Sequence, residues 1–260
     1  MQHINLLDIL NKDSFFIEIL MNVNLSPSRG SSLKPESQNV SALKQVLQKI
    51  DADSCPASYN FHLHTVNSDG RSQSEKVMEQ AIAIGLKGFA ITDHHSTKGY
   101  EQAQIWLDNW KSNHPDSKVT APTLWTGAEI NAELLNNDVH ILAYAFDPQH
   151  PSLKPYLRGD RGTEGSDDYP AAKIIEAIQE AGGLAVLAHP CRYRSTADKL
   201  IPEAARLGID GVETYYAYNN PNPWKPSLKQ TILVKELAET YGLLGTCGTD
   251  SHGLSLLIRI

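Results

Sequence analysis

Four times in this chain a glycine is followed by a short apolar run that ends in a polar cluster: "GLKGFAITDHH" (85–95), "GGLAVLAHP" (182–190), "GIDGVETYY" (208–216) and "GLLGTCGTDSH" (242–252). Three of these runs follow a segment with helical periodicity. "SEKVMEQAIAIG" puts Val77, Ala81 and Ile84 on one face, with Gly85 placed to cap the helix. "YPAAKIIEAIQEAGG" does the same with Ala171, Ile174, Ile175 and Ile178, and "SLKQTILVKELAETYG" with Val234, Leu237, Ala238 and Tyr241. Helix, glycine, buried strand, repeated, is the pattern of βα units around a parallel sheet. Such strands close into a barrel or open into a doubly wound sheet, and in both cases the chemistry sits beyond their C-terminal ends.

The polar clusters fall at those ends. "NFHLHTVNSDGRS" (60–72) carries His62 and His64 one residue apart. On a strand, residues i and i+2 face the same way, so the two imidazoles converge. Alone, such a pair fits two hydrogen-bonded histidines as well as metal ligands. The other runs add Asp93, His94, His189, Asp250 and His252, while "TLWTGAEI" brings Glu129 and "DVHILAYA" brings His140. Histidine gathered at successive strand ends favours a metal site. Imidazole with carboxylate suits Mn, Fe or Zn, and a closed thiolate zinc site is excluded by the ligand types.

Composition sets the boundaries of this reading. The chain has 260 residues and a net charge of −7, which argues against a broad basic surface for long nucleic acid or anionic membrane. Its three cysteines form no C-x-x-C pair, which fits a reducing, cytoplasmic setting. No stretch approaches the roughly 18 apolar residues of a membrane span, and "MQHINLLDILNKDSFFIEIL" lacks the basic leader of a signal peptide. Residues 24–40, rich in Ser and Pro, read as a linker. The expected organisation is an N-terminal extension over 1–40 and a catalytic domain over 41–260, with the extension dispensable.

Taken in order, "FHLHT" with "SDG", "ITDH", "GAEI", "DVHILAY", "LAHP" and "GTDSH" resemble the PHP (polymerase and histidinol phosphatase) family of metal-dependent phosphoesterases, from about Tyr59 onward. The resemblance implies a distorted seven-stranded (β/α) TIM-like barrel with two or three divalent ions per chain. It assigns His62, His64, Glu129 and Asp250 to one ion. Glu129 would bridge to a second ion, held by His140 and His189, and Asp69, His94 and His252 would hold a third. The implied activity is hydrolysis of phosphate from a small phosphorylated substrate, with a nucleotide or nucleoside bisphosphate as the expected class. The alternatives are a 5′–3′ exonuclease on RNA or DNA ends, a non-catalytic PHP module, and an amidohydrolase.

Arg192 in "HPCRYR" is placed to grip a phosphate, and many relatives carry "HP-x-R". Relatives often read "TDHD" where this chain has Thr92-Asp93-His94-His95, so His95 is either a proton donor to the leaving group or a neighbour of the site. Asp93 is expected to orient a neighbouring group; Glu213, at a strand end, could face the site, although a structural role is the commoner one. Tyr215, Tyr216 and Tyr218 could stack on a base, although packing is the commoner use of tyrosine there. Some relatives insert a helical subdomain after the fourth strand, whereas this chain has only the Pro- and Gly-rich interval 146–168, with Arg158 and Arg161 as candidates to reach substrate.

Overall fold

In the computed structural model the described residues are 34–159 and 162–260; the expectations for residues 1–33 and for Arg161 lie outside them. Helix α1 (Val40–Leu47) leads to a short strand β1 (Tyr59–Asn60), then α2 (Ser74–Ile84), β2 (Gly88–Ala90), α3 (Lys98–Asn113) and β3 (Thr123–Trp125). These three strands form a parallel sheet in the order β1-β2-β3. Strands β4 (Gly127–Leu134) and β5 (Asn137–Tyr144) follow as a hairpin. Next come α4 (Ala171–Glu180), β6 (Leu184–Leu187), α5 (Ala197–Arg206), β7 (Gly211–Tyr215), α6 (Leu228–Thr240) and β8 (Leu244–Cys247). The second sheet runs β4-β5-β6-β7-β8, antiparallel at β4–β5 and β5–β6 and parallel thereafter.

The glycine-punctuated elements form as the periodicity predicts. Gly85 ends α2 in the left-handed region at φ 83°, and Val77 and Ala81 of that helix are fully buried. Ile174, Ile175 and Ile178 of α4 pack on Ile130, Ile141 and Leu187 of the second sheet. On α6 the buried stripe is Thr231, Val234 and Ala238, while Tyr241 is largely exposed. The face read from sequence is therefore rotated slightly toward the helix start.

The fold is α/β as expected, but the described residues do not form the expected distorted seven-stranded (β/α) TIM-like barrel. Eight strands lie in two sheets, and one connection is a two-residue loop. A loop that short can only reverse the chain, because a parallel crossover needs a dozen residues or more. At that loop Leu135 and Asn136 both have positive φ, 52° and 57°, as the hairpin turn matching strand twist requires. The sheets meet at isolated bridges, Leu63 with Ser251 and His94 with Glu129. Both bridges involve residues next to or within the histidine-carboxylate cluster, so the seams of the fold hold the site.

The packed chain also begins earlier than Ser41. A 3-10 turn, Glu36–Gln38, precedes α1, and Ser37 is buried. The Ser37 carbonyl accepts from the Thr126 amide at 3.0 Å, and its hydroxyl accepts from Tyr100 at 2.9 Å. Among the described residues no helix is long and apolar enough to cross a membrane.

Candidate metal centre

His62 and His64 lie just past β1, where the chain continues extended. The His62 carbonyl accepts from the Asp250 amide at 2.9 Å, and the His64 amide donates to Ser251 at 3.0 Å. This lacing brings the end of β1 against the segment after β8. Such close approach requires Gly248, because a Cβ there would collide with the His62 Cβ. Glu129 sits on β4 and His140 opposite Asn131 on β5, while His189 follows β6. His189 and Asp250 hold left-handed backbone, φ 27° and 53°, as does His95 at 50°. Non-glycine residues rarely stay there unless their surroundings fix them, and such positions cluster at functional sites.

All nine residues assigned as ligands come together. The Glu129 carboxylate is buried, and its two oxygens face different histidines. Oε2 lies 3.1 Å from His62 Nε2 and 3.1 Å from His64 Nε2, while Oε1 lies 2.7 Å from His140 Nδ1 and 3.4 Å from His189 Nε2. Asp250 Oδ1 is 3.4 Å from His62 Nε2 and 3.2 Å from His64 Nε2. On the outer side Asp69 Oδ2 approaches His252 Nε2 at 3.1 Å and His94 Nε2 at 3.8 Å. Ligand atoms fall into four overlapping groups: His62-His64-Asp250, His62-Glu129-His189, His94-Glu129-His140 and His64-Asp69-His94-His252.

Hydrogen bonding shows what these atoms lack. His62 Nδ1 lies 3.0 Å from Glu213 Oε1 and donates to it, and His252 Nδ1 donates to the Asp250 carbonyl at 2.8 Å. In the neutral ring each Nε2 is then a bare lone pair facing a carboxylate, which is repulsive unless a proton or a cation lies between. His64 and His189 are buried, and neither ring nitrogen of either makes a hydrogen bond, nor does His94 Nδ1. Orphaned imidazole nitrogens among carboxylates fit divalent cations.

The proton equilibria carry the same strain. Burial opposes charge on His62, yet Glu129, Glu213 and Asp250 hold its pKa well above the ordinary histidine range. For His64 burial is likewise outweighed, by the adjacent carboxylates of Asp250 and Glu129, and its pKa is raised to about 9. Burial drives His94 the other way, down to about 4, with the neighbouring His64 and His140 adding to the fall, and it lowers His189 as well. Burial would raise Glu129, but His62 and His140 keep it well below the usual carboxylate range.

Around the ligands the structure adds residues whose roles sequence reasoning did not assign. Glu213 on β7 was expected to be structural, but its Oε1 orients His62 and its Oε2 accepts the His189 amide at 2.8 Å, so it positions two of the residues assigned as ligands. Tyr216 donates to Asp250 Oδ2 at 2.7 Å and uses its hydroxyl rather than its ring face. Arg259 donates to the same oxygen at 2.8 Å. Asp93, expected to orient a neighbour, accepts from the amide and hydroxyl of Thr65 at 2.6 and 2.7 Å and from Ser68 at 2.8 Å, fixing the loop that carries Asp69. Tyr218 accepts the Cys191 amide at 3.2 Å; Cys247 is buried and Cys191 partly so.

Arg192 lies beside the cluster, with Nη1 3.1 Å from Asp250 Oδ2. His95 is buried, and both of its nitrogens face backbone. Nδ1 donates to the Tyr156 carbonyl at 3.1 Å, and Nε2 faces the Asn131 amide at 3.4 Å. Burial lowers its pKa. It lines a cavity of about 640 Å³ that opens beside Asp69, His94 and His140 and reaches Lys98, Arg158 and Glu164.

The chain as a whole has counterparts among known proteins. The sequence model of the PHP domain matches residues 60–243. The chain belongs to the PHP family. With that family goes the enzyme class, hydrolysis of phosphoester bonds. A 5′-3′ exoribonuclease of Haemophilus influenzae is 24% identical over 262 residues, covering 75% of this chain and 89% of its own. The phosphoribosyl 1,2-cyclic phosphate 1,2-diphosphodiesterase of Eggerthella lenta is 23% identical over 254 residues, covering 75% and 94%. A solved structure from Bifidobacterium adolescentis, described as a metal-dependent phosphoesterase, superposes with a TM-score of 0.59 at 24% identity, covering 76% of this chain and 89% of that one.

Proposed function

We propose that this PHP protein hydrolyses phosphate esters of small molecules at a centre of two or three divalent ions, with a nucleotide or nucleoside bisphosphate as the substrate class. The observation that carries this is Glu129, whose two buried oxygens face separate pairs of histidines. A carboxylate so placed suits two ions at the roughly 3.5–4 Å spacing of paired-metal phosphoesterases. His62, His64 and Asp250 would complete one site and His140 and His189 a second. Asp69, His94 and His252 would complete a third, each of these donors being shared or adjacent in the groups described above. Bound ions of this kind supply Lewis acidity and a water that ionises near neutral pH.

The chain's own residues have the remaining tasks. Glu213 and the Asp250 carbonyl fix the tautomers of His62 and His252, so that Nε2 of each is free to ligate. Arg192 grips a non-bridging phosphate oxygen. His95, with both nitrogens held by backbone, shapes a wall of the cavity beside the cluster. Serving as the proton donor would first require giving up one of those contacts.

A second reading, a 5′–3′ exoribonuclease, is favoured by the name of the Haemophilus relative. Against it stand the net charge of −7 and an interval between β5 and α4 whose described part holds only a 3-10 turn, Pro151–Leu153. Elemental analysis of protein purified without chelator should find two or three divalent ions per chain. In kcat/KM, phosphate release from mononucleotides and nucleoside bisphosphates should exceed cleavage of a 20-mer RNA by at least about tenfold, equivalent to about 1.4 kcal/mol. Full activity in chelator with less than one ion bound would end the metal reading. Equal efficiency on the 20-mer, with shortening from its 5′ end, would transfer the assignment to the exonuclease.

A further inference from the structure

Two arginines and a tyrosine converge on one oxygen of Asp250, and they cannot all be needed there. Tyr216 donates to Oδ2 at 2.7 Å, Arg259 Nε at 2.8 Å and Arg192 Nη1 at 3.1 Å. A carboxylate oxygen offers about two lone-pair sites, so the third donor is the weakest held. Arg192 has the longest contact, divides the same Nη1 with the Tyr216 hydroxyl at 3.3 Å, and its side chain is 39% exposed against 20% for Arg259.

Arg259 is also delivered by a fastened loop. The His252 amide donates to the Arg259 carbonyl at 2.7 Å, and the Ser251 hydroxyl donates to Ser255 at 2.7 Å. Leu256 is buried against the first sheet's core, and its carbonyl accepts from Asn60 and Thr249. The loop therefore returns residue 259 to the oxygen opposite the face of Asp250 that meets His62 and His64.

We infer that Arg259 is the standing partner of Asp250 and a positioning residue for the metal centre, which releases Arg192 to bind substrate phosphate. This rests on the proposed metal reading. With Arg192 turned to a phosphate, Asp250 keeps two donors on Oδ2, and Oδ1 stays aimed at the ion site. Without Arg259, the carboxylate would be free to rotate away from the ion site.

The division of labour is tested by titrating Mn²⁺ into chelator-stripped full-length protein, followed by EPR, alongside kinetics on p-nitrophenyl phosphate. Arg259→Gln should weaken Mn²⁺ binding by at least about tenfold, the effect expected of a partner to a ligating carboxylate. At saturating metal it should lower kcat with KM within about twofold. Arg192→Gln should leave Mn²⁺ affinity within about twofold and raise KM at least about tenfold. Arg259→Lys, which keeps the charge and a donor, should recover most of the metal affinity, and it serves as the test variant if the glutamine form does not fold. Unchanged Mn²⁺ affinity in Arg259→Gln, or equal loss of metal in Arg192→Gln, would overturn the assignment. Should no phosphoester be hydrolysed at all, the function proposed above fails, while the metal titrations still decide the role of Arg259.

Discussion

Glu129 concentrates the chemistry of the site in one side chain. Replacing it with glutamine keeps the volume but substitutes an amide donor for one of the oxygens that face two pairs of histidines. Glu129→Gln should lose at least one ion by elemental analysis and at least about 100-fold in kcat/KM, with circular dichroism unchanged. Glu213→Gln asks for less: Nδ1 of His62 loses its charged acceptor and the tautomer is less firmly set. Metal affinity should fall about 10- to 100-fold in a competition titration. Retained affinity would make Glu213 a packing residue after all. Most of the proposed ligands were legible in the sequence because they sit at or near the polar end of an apolar run, while His140 lies within its strand and Asp69 in the loop after one. Their partners were not. Glu213 ends its run like any buried polar residue, and Arg259 lies seven residues beyond the last motif, with only a loop to bring it back. Nothing local in either stretch marks a distant imidazole or carboxylate as its target.

At the scale of elements, glycine-capped helices and the runs after them could be read because local propensity and burial agree there. The β4–β5 hairpin could not be read as one. Its strands were visible, but its turn is Leu135-Asn136 rather than the Asn-Gly pair that normally marks a two-residue hairpin loop. That choice has an energetic consequence. Leucine at φ 52° places its Cβ against backbone oxygen, at about 1–2 kcal/mol for a left-handed L-residue. Its side chain is exposed, so little packing is lost on replacement. Leu135→Asn or Leu135→Gly should therefore stabilise the protein by about 1 kcal/mol, seen as a higher urea midpoint with unchanged m-value. A lower midpoint would mean that Leu135 contributes contacts that offset its backbone strain. The hairpin matters for function because it carries both Glu129 and His140, a diagonal pair two residues out of register whose separation its pairing sets.

For the whole molecule, the proposed ions would act as cross-links. His62 and His64 extend from the three-stranded sheet, while Glu129, His140, His189 and Asp250 come from or follow strands of the other. Metal bound at about 1,000 times its dissociation constant stabilises by about 4 kcal/mol, which for a protein of this size is roughly 8–16 °C in Tm. Chelation should lower Tm by about that range and excess divalent metal should restore it, as read by scanning calorimetry. An unchanged Tm would mean that the seams hold without metal.

The boundary of the folded unit gives a sharper test, because the Ser/Pro-rich composition of residues 24–40 pointed to a linker while Ser37 is buried. Composition reports how a segment behaves alone; it does not register a single carbonyl that satisfies a buried amide. The Ser37 carbonyl accepts from the Thr126 amide, and Thr126 joins β3 to β4 three residues before Glu129. Removing Ser37 leaves that amide and the Tyr100 hydroxyl without their partners, at about 1–3 kcal/mol for each buried group. A chain beginning at Lys34 should match the full-length protein in Tm, metal content and kcat/KM, since every proposed ligand lies at or beyond His62. One beginning at Ser41 should be destabilised by about 2–6 kcal/mol and bind metal more weakly through the loosened start of β4. If the two truncations proved equally stable, water would be satisfying Thr126 in place of Ser37. If the Lys34 form also lost metal, the first 33 residues would have to contribute to the site.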